Sequence, residues 1–374
     1  MKIGFVLDDT LDKPDGVQQY VLHLGQWMES VGHEVHYLVG ESHRHDVRHL
    51  HSLSKNINVR FNQNRMSIPR PANKKVINEL LQREKFDVLH VQMPYSPMLG
   101  ARIINAAPKE TKVVATFHIL PFSKLEIRAS KMLRRFERRS LKRLDDVVAV
   151  SAPAAIFAKK AFKVKAAVLP NVVPLHEYQH AKRLKKYEDG KIVIAFLGRL
   201  VERKGCMYLL KALNELQDKH GMLNVRVIIG GKGPMLGQLK SYVKNHHLSQ
   251  HVQFVGFIKE ADKPDFLASA HIAVFPSTGG ESFGIVLIEA MAAGSEVVIG
   301  GNNPGYRSVL GEKPTQLVNP KDTAAFAKTL KHYITSGAAR KTAHRWQAKH
   351  VQQYDVHAVG AQLIDLYKAP RTKT

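Results

Sequence analysis

The segment GGESFGIVLIEAMAAG, residues 279–294, carries two carboxylates, Glu281 and Glu289, eight residues apart around an apolar run. Ser282 or the glycine pair before it starts a helix at about Phe283, and Gly294 stands where a left-handed cap closes one. At about 1.5 Å of rise per residue the acids lie roughly 12 Å apart, comparable with the span from a nucleotide's ribose to a sugar beyond its diphosphate. Between them the amides of Ser282, Phe283, Gly284 and Ile285, at the positive end of the helix dipole, form a phosphate site. Taken alone, the pattern equally describes one acid favouring a helix dipole and a second on a solvated face.

A second stretch, GRLVERKG at 198–205, offers Arg199 and Lys204 directly after an apolar run. Two cations facing a diphosphate neutralise it as it departs. A chain with 56 lysines and arginines also places basic turns before helices without any such purpose. The combination of strand, Arg, Lys, helix and then Glu-x7-Glu is far more specific than either part.

These residues need elements to position them. Short apolar runs alternate with longer amphipathic stretches: KIGFVLD, EVHYLVG, FDVLHVQ, KVVATFH and DVVAVS in the first half, then KIVIAFLGR, NVRVIIGG, HVQFVGF, HIAVFP and EVVIGG. Runs apolar on both faces are those of parallel strands covered by helices. The predicted class is α/β, with two Rossmann-like doubly wound domains, residues 1–175 and 191–354, facing a central cleft. The polar stretch 176–190 reads as a linker, and 355–374 as a closing helix and tail that return to the first domain. In such sheets ligands bind outside the carboxyl ends of the strands. Gly16, His118, Arg199, Gly231 in the GGKGP turn, and Glu281 all follow predicted strands.

A length of 374 residues is too great for one ordinary core, which agrees with two domains. The single cysteine, Cys206, excludes an intrachain disulfide and a cysteine-based zinc site, and suits a reducing cytoplasm. No secretory-signal pattern and no apolar run of about 20 residues is present, so the expectation is a soluble or peripheral protein. The net charge of +24 draws the chain toward nucleic acid, anionic lipid or phosphorylated small molecules. A nucleic-acid-binding protein is the alternative of another class. It lacks a helix-turn-helix, RRM or zinc-finger signature, and the motifs gather instead at a domain cleft.

Residues 124–143, KLEIRASKMLRRFERRSLKR, form a strongly basic helix with Arg128, Lys131, Arg134, Arg135, Arg138 and Arg139. Such a helix lies on anionic lipid at about 1 kcal/mol per cation near the surface. Its interleaved apolar residues, Leu125, Met132, Leu133, Phe136 and Leu141, are expected to pack on the sheet, so that no deep insertion occurs. Arg70, Lys74 and Lys75 extend the same basic patch.

GRLVERKG, IIGGKGP, FVGF and GGESFGIVLIEAMAAG, in that order, resemble the retaining glycosyltransferases of family 4, which have the GT-B fold. The opening MKIGFVLDDTLDKPDGVQQYVLHLGQWMESVGHEVHYLVG is similar to that of the phosphatidylinositol mannosyltransferases, membrane-associated enzymes that move mannose from GDP-mannose to an inositol ring. The resemblance implies that Gly16 brings its loop against the donor diphosphate and that Arg199 and Lys204 bind that diphosphate. Glu281 would hold hydroxyls of the donor sugar and Glu289 the ribose; the amides from Ser282 to Ile285 would complete the cradle, with Gly231 in the donor-binding set. His118 would lie beside the reacting sugar and the acceptor.

The implied chemistry is transfer with retention, the leaving diphosphate taking the acceptor's proton on the same face. No metal and no cofactor is required, since the cations and helix amides supply the positive field. The donor is a nucleotide-diphosphate sugar, GDP-mannose before UDP-glucose, and the acceptor a membrane lipid such as phosphatidylinositol. The implied location is cytoplasmic, peripheral to the inner face of the cell membrane. The rival within the family is a UDP-glucose-dependent glucosyltransferase acting on diacylglycerol or a soluble sugar; an epimerase or a phosphorylase of the same architecture is the other enzyme reading. Asp15-Gly16 replaces the family's usual glycine pair, and GGNNPGYRSVLG, residues 300–311, is less like the mannosyltransferases.

Overall fold

A computed structural model of the protein describes residues 1–13, 15–61, 64–121, 124–220 and 224–371. The strands are β1 Lys2–Leu7, β2 Glu34–Val39, β3 Leu50–Ser52, β4 Asn56–Phe61, β5 Asn64–Pro69, β6 Val88–Gln92, β7 Lys112–Phe117, β8 Asp146–Ala149 and β9 Ala167–Val168. Then follow β10 Ile192–Leu197, β11 Val225–Gly230, β12 Val252–Gly256, β13 Ile272–Phe275, β14 Val297–Gly301 and β15 Leu317–Val318. All ten apolar runs singled out in the sequence are strands.

The chain divides into two compact units, Met1–Val172 with Val356–Thr374, and Val173–Asp355. The first unit holds a seven-stranded sheet in the order β3-β2-β1-β6-β7-β8-β9, every neighbouring pair parallel. The second holds a six-stranded parallel sheet, β12-β11-β10-β13-β14-β15. Parallel neighbours need a crossover, and helices supply it. β4 and β5 form a separate antiparallel pair.

Strand order reverses at β1/β6 in the first sheet and at β10/β13 in the second. These switch points are where crossovers leave in opposite directions and open a crevice at the carboxyl ends.

Each sheet is buried on both faces, as its unbroken apolar runs require. In the first unit Phe5 and Leu7 pack with Tyr20, Leu24 and Met28 of the helix Gly16–Ser30 and with Val359 and Leu363 of the last helix, Val356–Lys368. The two helices touch closely, because a Cβ at Gly360 would lie 2.4 Å from the Trp27 ring. Buried polar bonds add to this: His90 reaches the Tyr367 hydroxyl and Thr116 Oγ1, each at 2.6 Å. In the second unit Ile194, Val227, Ile272 and Ile299 pack with Leu209, Leu239 and Phe326.

The polar segment 176–190, read as a linker, is held to the second unit. Lys182 N donates to Asp265 Oδ1 at 2.8 Å and Leu184 N to Ser269 Oγ at 2.9 Å. Arg183 pairs with Glu296 at 2.7 Å, and Tyr187 is buried.

Candidate functional site

In the second unit the loops after β10 and β13, which flank its switch point, are joined by ions. Glu281, with 13 % of its side chain exposed, accepts through Oε1 from Arg203 Nη1 at 2.6 Å, Lys204 Nζ at 2.9 Å and Ser277 Oγ at 2.8 Å. Burial pushes the Glu281 carboxyl up, but Lys204 and Arg203 outweigh it and hold the group below the ordinary carboxylate range. Two cations against one anion leave the cluster positive. Lys204 has three N–H donors, so its bond to Glu281 leaves capacity for a second anion.

Arg199 stands exposed in the loop after β10. The GGKGP turn packs against that loop: Gly231 has φ 136°, and a Cβ there would lie 1.9 Å from Gly198 O. Arg203, which the sequence reading passed over, shares Glu281 with Lys204; its signal was adjacency to Lys204 in VERKG.

The helix after Glu281 spans Ile285–Ala292, two residues later than expected from the sequence. Gly284, at φ 140°, precedes it in a conformation no helix contains. Phe283 is buried and stands edge-on to Tyr354, centroids 5.5 Å apart. Of Ser282, Phe283, Gly284 and Ile285, only Ile285 is therefore helical, and the 12 Å span computed from helical rise does not describe Glu281 to Glu289. The close still follows the sequence, with Gly294 at φ 82° after the last turn.

The segment 300–311 supports this loop. Asn303 accepts from Tyr306 N at 3.0 Å to cap the helix Pro304–Leu310, and its Nδ2 donates to Ser277 O at 3.1 Å. Gly305 lets the backbones meet, since a Cβ there would lie 2.1 Å from Glu281 O.

Glu289 is buried inside the Ile285–Ala292 helix and accepts from Lys263 Nζ at 2.8 Å. Lys263 is shared with Glu260 at 2.5 Å. Burial disfavours the Lys263 charge, but Glu289 and Glu260 raise its pKa above the usual value, so the ammonium is retained. With Oε1 on Lys263, Glu289 keeps the lone pairs of its other oxygen for a hydroxyl donor.

In the first unit the carboxyl edge is uncharged where His118 lies. His118 follows β7, is buried, and bonds through Nε2 to Gln92 Oε1 at 2.7 Å. Gln92 Nε2 donates to His90 O at 3.2 Å, which fixes its amide so that Oε1 faces the imidazole. His118 therefore carries its proton on Nε2 and leaves Nδ1 as an acceptor. Burial lowers its pKa to about 3, so the ring is neutral. Tyr20 stands edge-on to it at 4.9 Å.

Gly16 opens the helix Gly16–Ser30 and is exposed; Pro14 lies outside the described residues. Gln18 Nε2 donates to Asp9 Oδ2 at 3.3 Å and Thr10 O at 3.2 Å, tying this turn to the end of β1. Asp8 accepts from the Ser96 hydroxyl, Leu99 N at 3.1 Å and Gly100 N at 2.6 Å. Burial still lifts the Asp8 carboxyl to about 6.

The basic segment forms two helices, Lys124–Phe136 and Arg138–Lys142. Glu137 interrupts them at φ −94°, ψ 15° and is buried against Ser140. Arg128, Lys131, Arg135, Arg138 and Arg139 are exposed and Arg134 is half-buried. The expectation that all the apolar residues pack on the sheet fails for Met132, 62 % exposed, and Phe136, 75 % exposed. They share one face at i, i+4 before the break, whereas Leu141 beyond it is buried. The side chain of Leu125 lies outside the described ones. Arg134, Arg135, Arg138, Lys142, Lys163 and Lys165 line one groove. Among the described residues no helix is long and apolar enough to cross a membrane.

Residues 179–352 match the family model of glycosyl transferases group 1, and residues 14–177 that of glycosyltransferase family 4. The phosphatidyl-myo-inositol mannosyltransferase of Mycolicibacterium smegmatis is 31% identical over 98% of this chain and 94% of its own. That of Mycobacterium leprae is 31% identical over 100% and 98%. Among solved structures, Anabaena HepE in complex with UDP-glucose superposes with a TM-score of 0.74 at 18% identity, covering 98% of this chain and 99% of its own. A glycosyltransferase from Rickettsia africae superposes at 0.73, also at 18% identity, covering 98% and 97%.

Proposed function

This chain belongs to the family 4 glycosyltransferases and has their GT-B fold; we propose that it transfers mannose from GDP-mannose to a membrane lipid acceptor such as phosphatidylinositol, with retention. The observation that carries the reading is identity of about a third with phosphatidyl-myo-inositol mannosyltransferases along nearly the whole chain.

The roles are those the family resemblance implies, and the chemistry of each group supports them. Arg199, Lys204 and the amides near Ile285 take the donor diphosphate, and Gly16 brings its loop to it. An arriving diphosphate competes with Glu281 for Lys204 and Arg203. It takes N–H donors from the carboxylate and frees carboxylate lone pairs for sugar hydroxyls. Glu289 accepts from the ribose while Lys263 holds it. His118, neutral and with Nδ1 as an acceptor, orients a hydroxyl rather than transferring a proton. The departing diphosphate takes the acceptor's proton, and the Arg199, Arg203 and Lys204 field stabilises the charge that develops on it.

The basic helices supply the membrane side of the reading. Their arginines face anionic headgroups at the inner face of the cell membrane, and Met132 with Phe136 enters the interfacial layer. This is shallow insertion by one face, which the sequence pattern alone did not suggest.

The test is thermal stabilisation of the purified chain by GDP, UDP, GDP-mannose and UDP-glucose side by side, followed by transfer of labelled sugar to phosphatidylinositol vesicles. A guanine-selective shift with labelled lipid product is expected. A uracil-selective shift replaces the donor by a UDP-sugar, and no shift with any nucleotide removes the donor site.

A further inference from the structure

At the edge of the first sheet, β2, β3 and the residue before β3 place three histidines together. His36 Nδ1 lies 2.9 Å from His51 Nε2, with the two rings 11° from parallel. His36 Nε2 lies 2.9 Å from Glu34 Oε1, and His49 stacks on His36 at 4.4 Å. Glu84, the last residue of the helix Lys74–Glu84, brings a carboxylate oxygen to within 4.8 Å of a ring nitrogen of His36 and of one of His51.

Proton positions follow from the partners. The Glu34 carboxylate only accepts, so His36 carries its proton on Nε2 and aims the Nδ1 lone pair at His51. That arrangement of carboxylate, histidine and open nitrogen is the one that orients a metal-binding imidazole. Ligands of a tetrahedral zinc ion, at about 2.0–2.1 Å from the metal, stand about 3.3 Å apart. The facing nitrogens, 2.9 Å apart, part by about 0.4 Å to reach that separation, the rings turn so that their lone pairs converge, and the Glu84 oxygen, within 4.8 Å, closes on them; these shifts admit the ion, and His51 then moves its proton to Nδ1.

We propose that His36 Nδ1, His51 Nε2 and a Glu84 oxygen bind one zinc ion, with Glu34 orienting His36 and water completing the coordination. The ion would pin the edge strand β3 and the end of the Lys74–Glu84 helix to β2. It is a structural site, distinct from the donor chemistry.

Two cations oppose it and set its selectivity. Lys2 Nζ bonds Glu34 at 2.9 Å and Glu84 at 3.1 Å, and Arg83 Nε bonds Glu84 Oε1 at 2.8 Å. Each carboxylate oxygen has a second lone pair, so coordination remains open, but the oxygen contribution is weakened. Two neutral imidazoles then decide the preference, which favours zinc over magnesium or calcium, whose sites are built of oxygens.

The test uses the full chain, stripped with a chelator and titrated with zinc chloride by calorimetry, with cobalt(II) as a visible-absorbance probe. One equivalent is expected to bind, magnesium not at all, and His51→Gln and Glu84→Gln are each expected to weaken zinc at least tenfold. Both positions are half-buried, so these variants fold more readily than a change at buried His36. The double variant His43→Gln, His45→Gln at exposed positions controls for adventitious binding by a chain with 20 histidines, and is expected to bind as the parent does. Retention of full affinity in His51→Gln, loss in the His43/His45 control, or no stoichiometric binding by the parent overturns the assignment. So does loss of the ion in His49→Gln with retention in His51→Gln, since that moves the ligands to another set.

Discussion

At the carboxyl edge of the second unit Glu281 is held by Arg203, Lys204 and Ser277, whereas at the same edge of the first unit His118 and Gln92 hold each other without formal charge. The charged cluster can be redistributed: an incoming anion draws on the same N–H donors that now serve the carboxylate. The neutral pair has one arrangement, fixed by the His90 carbonyl behind it. On the proposed reading, one edge responds to a diphosphate and the other presents a fixed acceptor atom. The difference lies in what surrounds each residue rather than in its type.

The largest effect expected concerns the charged edge. Glu281→Ala leaves Arg203 and Lys204 facing each other without their anion, and transfer should fall about a thousandfold with the far-UV circular dichroism unchanged. Near-normal turnover would remove Glu281 from the site and with it the comparison.

Next comes the surface that neither edge uses. Replacing Arg134, Arg135, Arg138 and Arg139 by glutamate should weaken binding to anionic liposomes about a hundredfold at low salt, with the loss shrinking as salt rises. Phe136→Ser should weaken it further and without salt dependence. Unchanged co-sedimentation of both variants would give these helices another task.

A double-mutant cycle of Arg203→Ala and Glu281→Gln, followed by thermal unfolding, measures the cluster itself. A coupling of about 1–2 kcal/mol is expected for a mostly buried pair in contact. A coupling near zero would mean that the loops after β10 and β13 are held by packing alone.

The smallest effect separates the units by pH. His118 and His90 both have pKa values lowered to about 3 by burial, His90 also by His118. The unfolded chain takes up these protons near pH 6.5 and the folded chain does not, so their contribution is present above that pH and is lost as pH falls. Asp8 works against this, because its raised value near 6 lets the folded state hold a proton that the unfolded state releases. His51, lowered by burial to about 4, acts with these histidines, and Asp9 and Glu137, raised by burial, act with Asp8; in the second unit His271 and His350 are lowered by burial as well but less far, so the first unit should weaken the more steeply from about pH 6.5 downward. Glu281, held below its ordinary range, contributes above about pH 4.3 and is lost only as pH falls further. The two tryptophans report on different units, Trp27 on the first and Trp346 on the second. Single-tryptophan variants should show the Trp27 signal changing at higher pH. Coincident transitions would mean that other groups govern acid unfolding.

Much of the fold was legible because buried parallel strands announce themselves as unbroken apolar runs. The β4–β5 pair was not: NINVRF and NRMSIP mix polar and apolar residues and lack such a run. At the candidate site, the positions of Glu281, Lys204 and Arg199 after strands were readable. The place of Arg203 beside Glu281 was not, because adjacency to Lys204 in VERKG does not say that both cations face one carboxylate. Met132 and Phe136 were misassigned for a related reason. Helical periodicity puts them on one face, but the break at Glu137 decides that this face is not the one against the sheet.

Local chemistry along the chain was enough to establish two α/β units and the residue types at each strand's end, since burial pattern and turn composition are properties of neighbouring residues. Partners were decided only by the folded chain. Gly284 at φ 140° delays the helix after Glu281, Lys263 reaches Glu289 from 26 positions away, and His118 is neutral because the surrounding core removes water from it. Each depends on desolvation and on contacts between distant segments, which exist only once the sheets have formed.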